Sequence, residues 1–191
     1  MKPGLILIDI QNDYFTDGNL ELYQMEPAAD QAKKILNFFR NANLPLFHIQ
    51  HISTLPSATF FKPNTDGVEI NERVFPQPNE IVIQKNFPNS FRDTDLLLNL
   101  KKAEVDDVVI CGAMSHMCID ATTRAAFDLG FNCIVIEDAC AIRDLQFKDI
   151  TIEARQVHVA FMAALSARYA KVISVDKCID LIAHNVIESK K

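Results

Sequence analysis

Unbroken apolar runs, each too short for a helix and separated by stretches of helical period, constrain this chain more than any other feature. The runs are LILID (5–9), PLFHIQ (45–50), IVIQK (81–85), DVVICG (107–112), NCIVIED (132–138) and KVISV (171–175). Between them, apolar residues recur at helical spacing over about 27–42, 93–102, 117–130 and 149–169, with a last helix after Asp176. A strand with one wet face alternates apolar and polar residues, so a run without alternation needs cover on both faces. Repeated β-α units of this kind predict an α/β fold, a parallel sheet with right-handed crossovers between flanking helices.

Local signals agree with the helices. Ile35, Phe38 and Phe39 form a stripe at i, i+3 and i+4, and Leu129-Gly130 is a glycine stop for the helix before it. Residues 51–80 break the pattern, being rich in Pro, Asn, Thr and Ser with isolated Phe60 and Phe61. A loop of that length inside a compact fold is uncommon and usually functional, so it is expected to form a wall or lid over a pocket. No repeat or composition break divides the 191 residues, which predicts one domain over 1–191.

Charge and cysteine usage exclude several roles. The net charge is −6 with 19 scattered basic residues, clustered only in the Ser189-Lys190-Lys191 tail, which disfavours nucleic-acid binding. No apolar run reaches the ~20 residues of a membrane helix, and the LILIDI start lacks the length and cleavage site of a signal peptide. Five cysteines, with Cys111, Cys133 and Cys140 in or beside apolar runs, read as free thiols in a reducing, cytoplasmic compartment.

Open parallel sheets bind ligands beyond the carboxyl ends of their strands. Asp9 ends the first run, Lys85 ends the third, and Cys118 follows the fourth by a few residues at a helix start, so all three are expected on one sheet edge. Cysteine attacks as thiolate, which a nearby cation or a helix N-terminus favours. Lys85 is placed to supply the charge, and Asp9 to take the thiol proton and return it to a leaving amine. Each residue alone has an ordinary alternative: a turn cap, a solvated strand end, a core thiol.

The blocks LILIDIQNDYF, IVIQKNFPNSFRDTDL and VVICGAMSHMCIDATTRAAFDLGFNCIVIEDACA, in this order and over nearly the whole chain, resemble the isochorismatase-like cysteine hydrolases. The resemblance implies a Rossmann-like three-layer α/β/α sandwich with a six-stranded parallel sheet. It further implies a catalytic triad on Asp9, Lys85 and Cys118. A non-proline cis peptide would join Ala113 and Met114, with the Met114 and Cys118 N–H groups as oxyanion hole. It also implies a homo-oligomer, dimer or tetramer.

Nicotinamidase-like members hold a metal with an Asp-x-His pair and a further histidine, whereas this chain reads FHIQHIST with no aspartate before either histidine. Period two puts His48 and His51 on opposite faces of a continued strand, so neither metal nor other cofactor is expected. His51 is expected as pocket lining or as a structural histidine. His116 is expected at solvent or a subunit contact, and Arg155 and His158 receive no chemistry. Gln11 is expected to orient water or substrate, and Phe15, Phe60 and Phe87 to suit a small, partly apolar amide or ring imide. Retention of Cys118 favours C–N hydrolysis through a thioester. The alternatives are an isochorismatase-type vinyl-ether hydrolase with Asp9 as acid, or a non-catalytic binding module on the same scaffold. Dinucleotide binding is disfavoured because DIQNDYF offers no Gly-rich turn.

Overall fold

The structure is a computed structural model that describes residues 2–188; the basic tail read from the sequence lies outside them. All six apolar runs become strands of one parallel sheet: β1 (Pro3–Ile8), β2 (Leu46–His51), β3 (Ile81–Lys85), β4 (Asp107–Ala113), β5 (Asn132–Ala141) and, after a hairpin, β8 (Lys171–Ile173). The spatial order is β3-β2-β1-β4-β5-β8, so the chain direction across the sheet reverses beside β1. The helices are α1 (Met25–Asn41), α2 (Leu96–Lys102), α3 (Asp120–Asp128), α4 (Ala154–Ser166) and α5 (Val175–Glu188).

The lack of alternation has the anticipated cause. Leu5, Leu7, Val109, Cys111, Ile134 and Ile136 point to the face covered by α1 and α5, meeting Ile35, Leu36, Phe39, Cys178 and Ile182. Their neighbours Ile6, Ile8, Val108, Ile110 and Val135 point the other way, against Leu96 and Leu100 of α2, Ala126 of α3 and Met162 and Leu165 of α4. Each such residue fully removed from water contributes about 1.5–3 kcal/mol before chain entropy is counted. No helix among the described residues is long and apolar enough to cross a membrane.

The helix expected over 149–169 is a correction. Residues 145–152 form an antiparallel hairpin, β6 (Leu145–Phe147) and β7 (Ile150–Ile152), and α4 begins only at Ala154, where the Asp144 carboxylate accepts the Ala154 N–H at 2.7 Å. The β-branched run Ile150-Thr151-Ile152 favours extended backbone, and Lys148 turns the hairpin at φ 55°. The helix expected from 117 starts earlier, as a π-helical turn over Ser115–Ile119 that leads into α3; Gly130, at φ 91°, follows its end.

Two irregularities at the carboxyl edge shape the ground beneath the site. Ile110 pairs with Val135 but Gly112 with Cys140, so β5 bulges and delivers Ala141 beside Ala113. Gly112 has φ 124°, and a Cβ there would fall 2.0 Å from the Ile8 carbonyl oxygen, so only glycine lets β4 approach β1 where Asp9 begins.

Candidate active site

Three chain segments meet at the reversal point. Asp9 follows β1 in a left-handed conformation (φ 53°), which aspartate tolerates better than most residues. Lys85 ends β3, and Cys118 sits in the Ser115–Ile119 turn after β4. The Lys85 ammonium donates to Asp9 Oδ2 at 2.8 Å and approaches Cys118 Sγ at 3.3 Å, and the three side chains are essentially withdrawn from solvent. Asp9 Oδ1 is buried without a hydrogen-bond partner. The start of α3, just after the Cys118 turn, is tied to the segment after β3 by Ser90, whose N–H donates to Thr122 Oγ1 at 3.1 Å.

Two further acceptors complete the ammonium's shell: the Phe87 carbonyl and His51 Nδ1, both at 3.1 Å. An ammonium is a donor only, so His51 Nδ1 accepts and the ring is neutral. Burial pushes the His51 pKa down; the Asp9 carboxylate opposes this and Lys85 reinforces it. Asp9, His51 and Cys118 offer atoms within 4.8 Å of one another, a triangle of the kind that holds a metal. Here the Lys85 nitrogen contacts all three, so a cation is already supplied by the chain. His48, by contrast, is buried on the opposite face with Nε2 2.9 Å from Glu80, away from this triangle.

The electrostatics correct one expectation. Burial pushes the Cys118 thiol up, the Asp9 carboxylate raises it further, and Lys85 lowers it by less than these combined. For Lys85, burial works against the charge, but the Asp9 and Cys118 attractions outweigh it and its pKa rises. The resting sulfur is therefore a thiol beside a carboxylate and an ammonium, and a thiolate forms only as its proton leaves.

The backbone supplies the remaining machinery. The Ala113–Met114 peptide is cis, and the Met114 carbonyl accepts from the Met117 and Ile119 N–H groups at 3.0 and 3.2 Å, which fixes the turn carrying Cys118. Residues 52–80 are tied to the segment after β1 by buried side chains. Gln11 donates to the His51 and Val68 carbonyls at 2.9 and 2.7 Å and accepts the His51 N–H at 2.7 Å. Its amide is thus committed to backbone, and the expectation that it orients water or substrate gives way to a clamp. Asp13 accepts the Phe61 N–H at 2.5 Å, and Gly67 lies so close that a Cβ would sit 2.1 Å from Asp13 Oδ1.

The aromatic expectations divide. Phe15 is sealed in the core, a correction whose cause is its place among the α1-side apolar residues. Phe60 is half-buried, 5.0 Å from the ring of Phe61, which is itself fully buried against Tyr14 and 5.8 Å from His51. Phe87 turns its ring to Arg92, whose guanidinium carbon lies 3.5 Å from the ring centroid, and presents its carbonyl to Lys85. Sequence reasoning missed Tyr14, which is buried in the segment after β1. The phenol of Tyr14 is pushed up by burial and then by Cys118 and Asp9, with Arg143 opposing. Its only sequence signal was a polar-tipped aromatic five residues after Asp9.

Residues 3–177 match the isochorismatase domain family. The chain belongs to the isochorismatase family. It is 52% identical over 172 residues to the uncharacterized isochorismatase family protein YddQ of Bacillus subtilis (strain 168), covering 90% of this chain and 96% of that one. A crystal structure of an isochorismatase from Pseudomonas putida KT2440 superposes with a TM-score of 0.87 at 35% identity, covering 92% of this chain and 89% of that one. Nicotinamidase 3 of Arabidopsis thaliana is 25% identical over 187 residues, covering 91% of this chain and 85% of its own. As an isochorismatase-family hydrolase the chain has the six-stranded parallel α/β fold of its relatives.

Proposed function

We propose that this isochorismatase-family hydrolase cleaves a C–N bond of a small amide-like substrate through a thioester on Cys118. The observation that carries the reading is the buried Lys85 ammonium, 2.8 Å from the Asp9 carboxylate and 3.3 Å from the Cys118 sulfur, all three side chains being withdrawn from solvent. As the sulfur attacks the carbonyl carbon, Asp9 takes the thiol proton and the S–C bond forms. The carbonyl oxygen becomes an oxyanion facing the Met114 and Cys118 N–H groups. The C–N bond then breaks and the amine leaves with the proton from Asp9. Water, deprotonated by Asp9, attacks the thioester; the S–C bond breaks and the sulfur recovers its proton, giving acid and amine.

Asp9 accepts the Lys85 hydrogen bond, an arrangement that suits a base better than the acid a vinyl ether would need. The family relationship to a protein named nicotinamidase supports amide chemistry. Intact-mass analysis with a panel of small amides tests the reading. An acyl adduct should form on the native protein and vanish in Cys118→Ala. Its persistence in that variant, or hydrolysis of vinyl ethers that needs Asp9 but not Cys118, overturns it.

A further inference from the structure

Ser115 directly follows the cis-linked Met114 and opens the turn that carries Cys118, and it is fully buried. Its hydroxyl lies 3.3 Å from the Ala141 carbonyl and 3.0 Å from Nδ1 of His158. A carbonyl only accepts, so a hydroxyl hydrogen given to Ala141 leaves the oxygen to accept from an Nδ1–H on His158. The chain from His158 Nδ1–H to Ser115 Oγ–H to the Ala141 carbonyl then satisfies all three groups. It joins α4, the nucleophile turn and the end of β5 through one buried hydroxyl.

The helix that brings His158 is itself anchored. Asp144 accepts the Ala154 N–H at 2.7 Å, and Ala154 and Val157 are buried where α4 meets the site edge. One turn further on, the Phe161 ring stands 6.0 Å from that of His116, the residue after Ser115. Behind His158 lies a cavity of about 480 Å³, lined also by Arg155, Glu137 and Gln31. Burial lowers the His158 pKa, with Glu137 opposing.

We propose that His158 is a positioning residue of this hydrolase, holding Ser115 so that the Met114 and Cys118 N–H groups stay aimed at the oxyanion; the inference rests on the thioester reading above. It touches neither sulfur nor substrate. Its effect belongs to reactions that develop an oxyanion, and not to reactions of the sulfur alone.

The test compares two reagents on the full chain. Acylation by p-nitrophenyl acetate passes through an oxyanion; alkylation of Cys118 by iodoacetamide does not. His158→Ala and Ser115→Ala should each slow acylation about tenfold, the worth of one buried hydrogen bond, and change alkylation less than about twofold. The double variant should be no slower than the slower single, because one chain has been cut twice. His158→Asn, which keeps an N–H near the same place, should recover most of the rate, as should imidazole added to His158→Ala through the adjoining cavity. Losses that multiply in the double variant, or acylation and alkylation falling together, overturn the positioning role. Acylation that survives Cys118→Ala overturns the thioester reading instead, so the two failures are distinct.

Discussion

Replacing Asp9 by asparagine should make Cys118 more reactive toward a simple alkylating agent while slowing hydrolysis by orders of magnitude. The Asp9 carboxylate lies within 4.8 Å of the sulfur and is among the groups that push the thiol up. At 4.8 Å and an effective dielectric constant of about 20, one unit charge is worth about 3.5 kcal/mol, or about 2.5 pKa units. Asparagine removes that charge and leaves the Lys85 ammonium 3.3 Å from the sulfur, so the thiol pKa falls. A less basic thiolate is a weaker nucleophile, which takes back roughly half of the logarithmic gain. The net expectation is an iodoacetamide rate about 10- to 20-fold faster at pH 7, measured by mass spectrometry of the Cys118 peptide. Hydrolysis of any amide substrate should meanwhile fall by about 10²–10⁴, the range of a lost general base. Alkylation unchanged or slowed in Asp9→Asn would refute the charge accounting at the sulfur.

Two further outcomes follow from buried charges. Lys85→Met strands the Asp9 carboxylate and should cost about 3–5 kcal/mol in urea unfolding; adding Asp9→Asn should restore much of that stability but no activity, and an additive double variant would contradict the pairing. Glu80 is nearly buried, and although burial raises its pKa, bonds from Arg40, the Gln77 N–H and His48 lower it to about 2. Because its folded value lies below its unfolded one, the stability it contributes is present above about pH 4.5 and lost as pH falls toward 2. Wild type should therefore lose on the order of 2 kcal/mol more than Glu80→Gln between pH 6 and 3, and parallel losses would count against it.

The sequence was most informative where burial is two-sided. Val108, Val109 and Ile110 are each fully buried on alternating faces, and no other element needs such a run, so the strands and their carboxyl ends were readable in one dimension. That in turn placed Asp9, Lys85 and Cys118 on one edge. The hairpin at 145–152 escaped because Phe147 and Ile150 are exposed, so no burial pattern marks them, and the signal that starts α4 is an Asp144 carboxylate ten residues away from Ala154. Gln11 escaped for a related reason: a glutamine whose donors reach backbone at His51 and Val68 looks, in sequence, like one free to meet substrate. The direction of the thiol shift depends on burial and on the Asp9 distance together, and neither is a property of residue order.

In the proposed reaction, the acceptors around Lys85 favour the transition state over the resting state. An ammonium has three N–H bonds, yet four acceptors lie within 3.3 Å of this one: Asp9, His51, the Phe87 carbonyl and Cys118. A neutral thiol is the weakest acceptor of the four, so at rest the sulfur is the one left short. In that proposed reaction its proton passes to Asp9, so the carboxylate loses its charge, the sulfur gains one, and the ranking inverts. The N–H bond then shifts from oxygen toward sulfur with little movement of heavy atoms. An interaction that strengthens only as charge develops lowers the barrier without deepening the ground state, and a lysine with more acceptors than hydrogens is a compact way to build one.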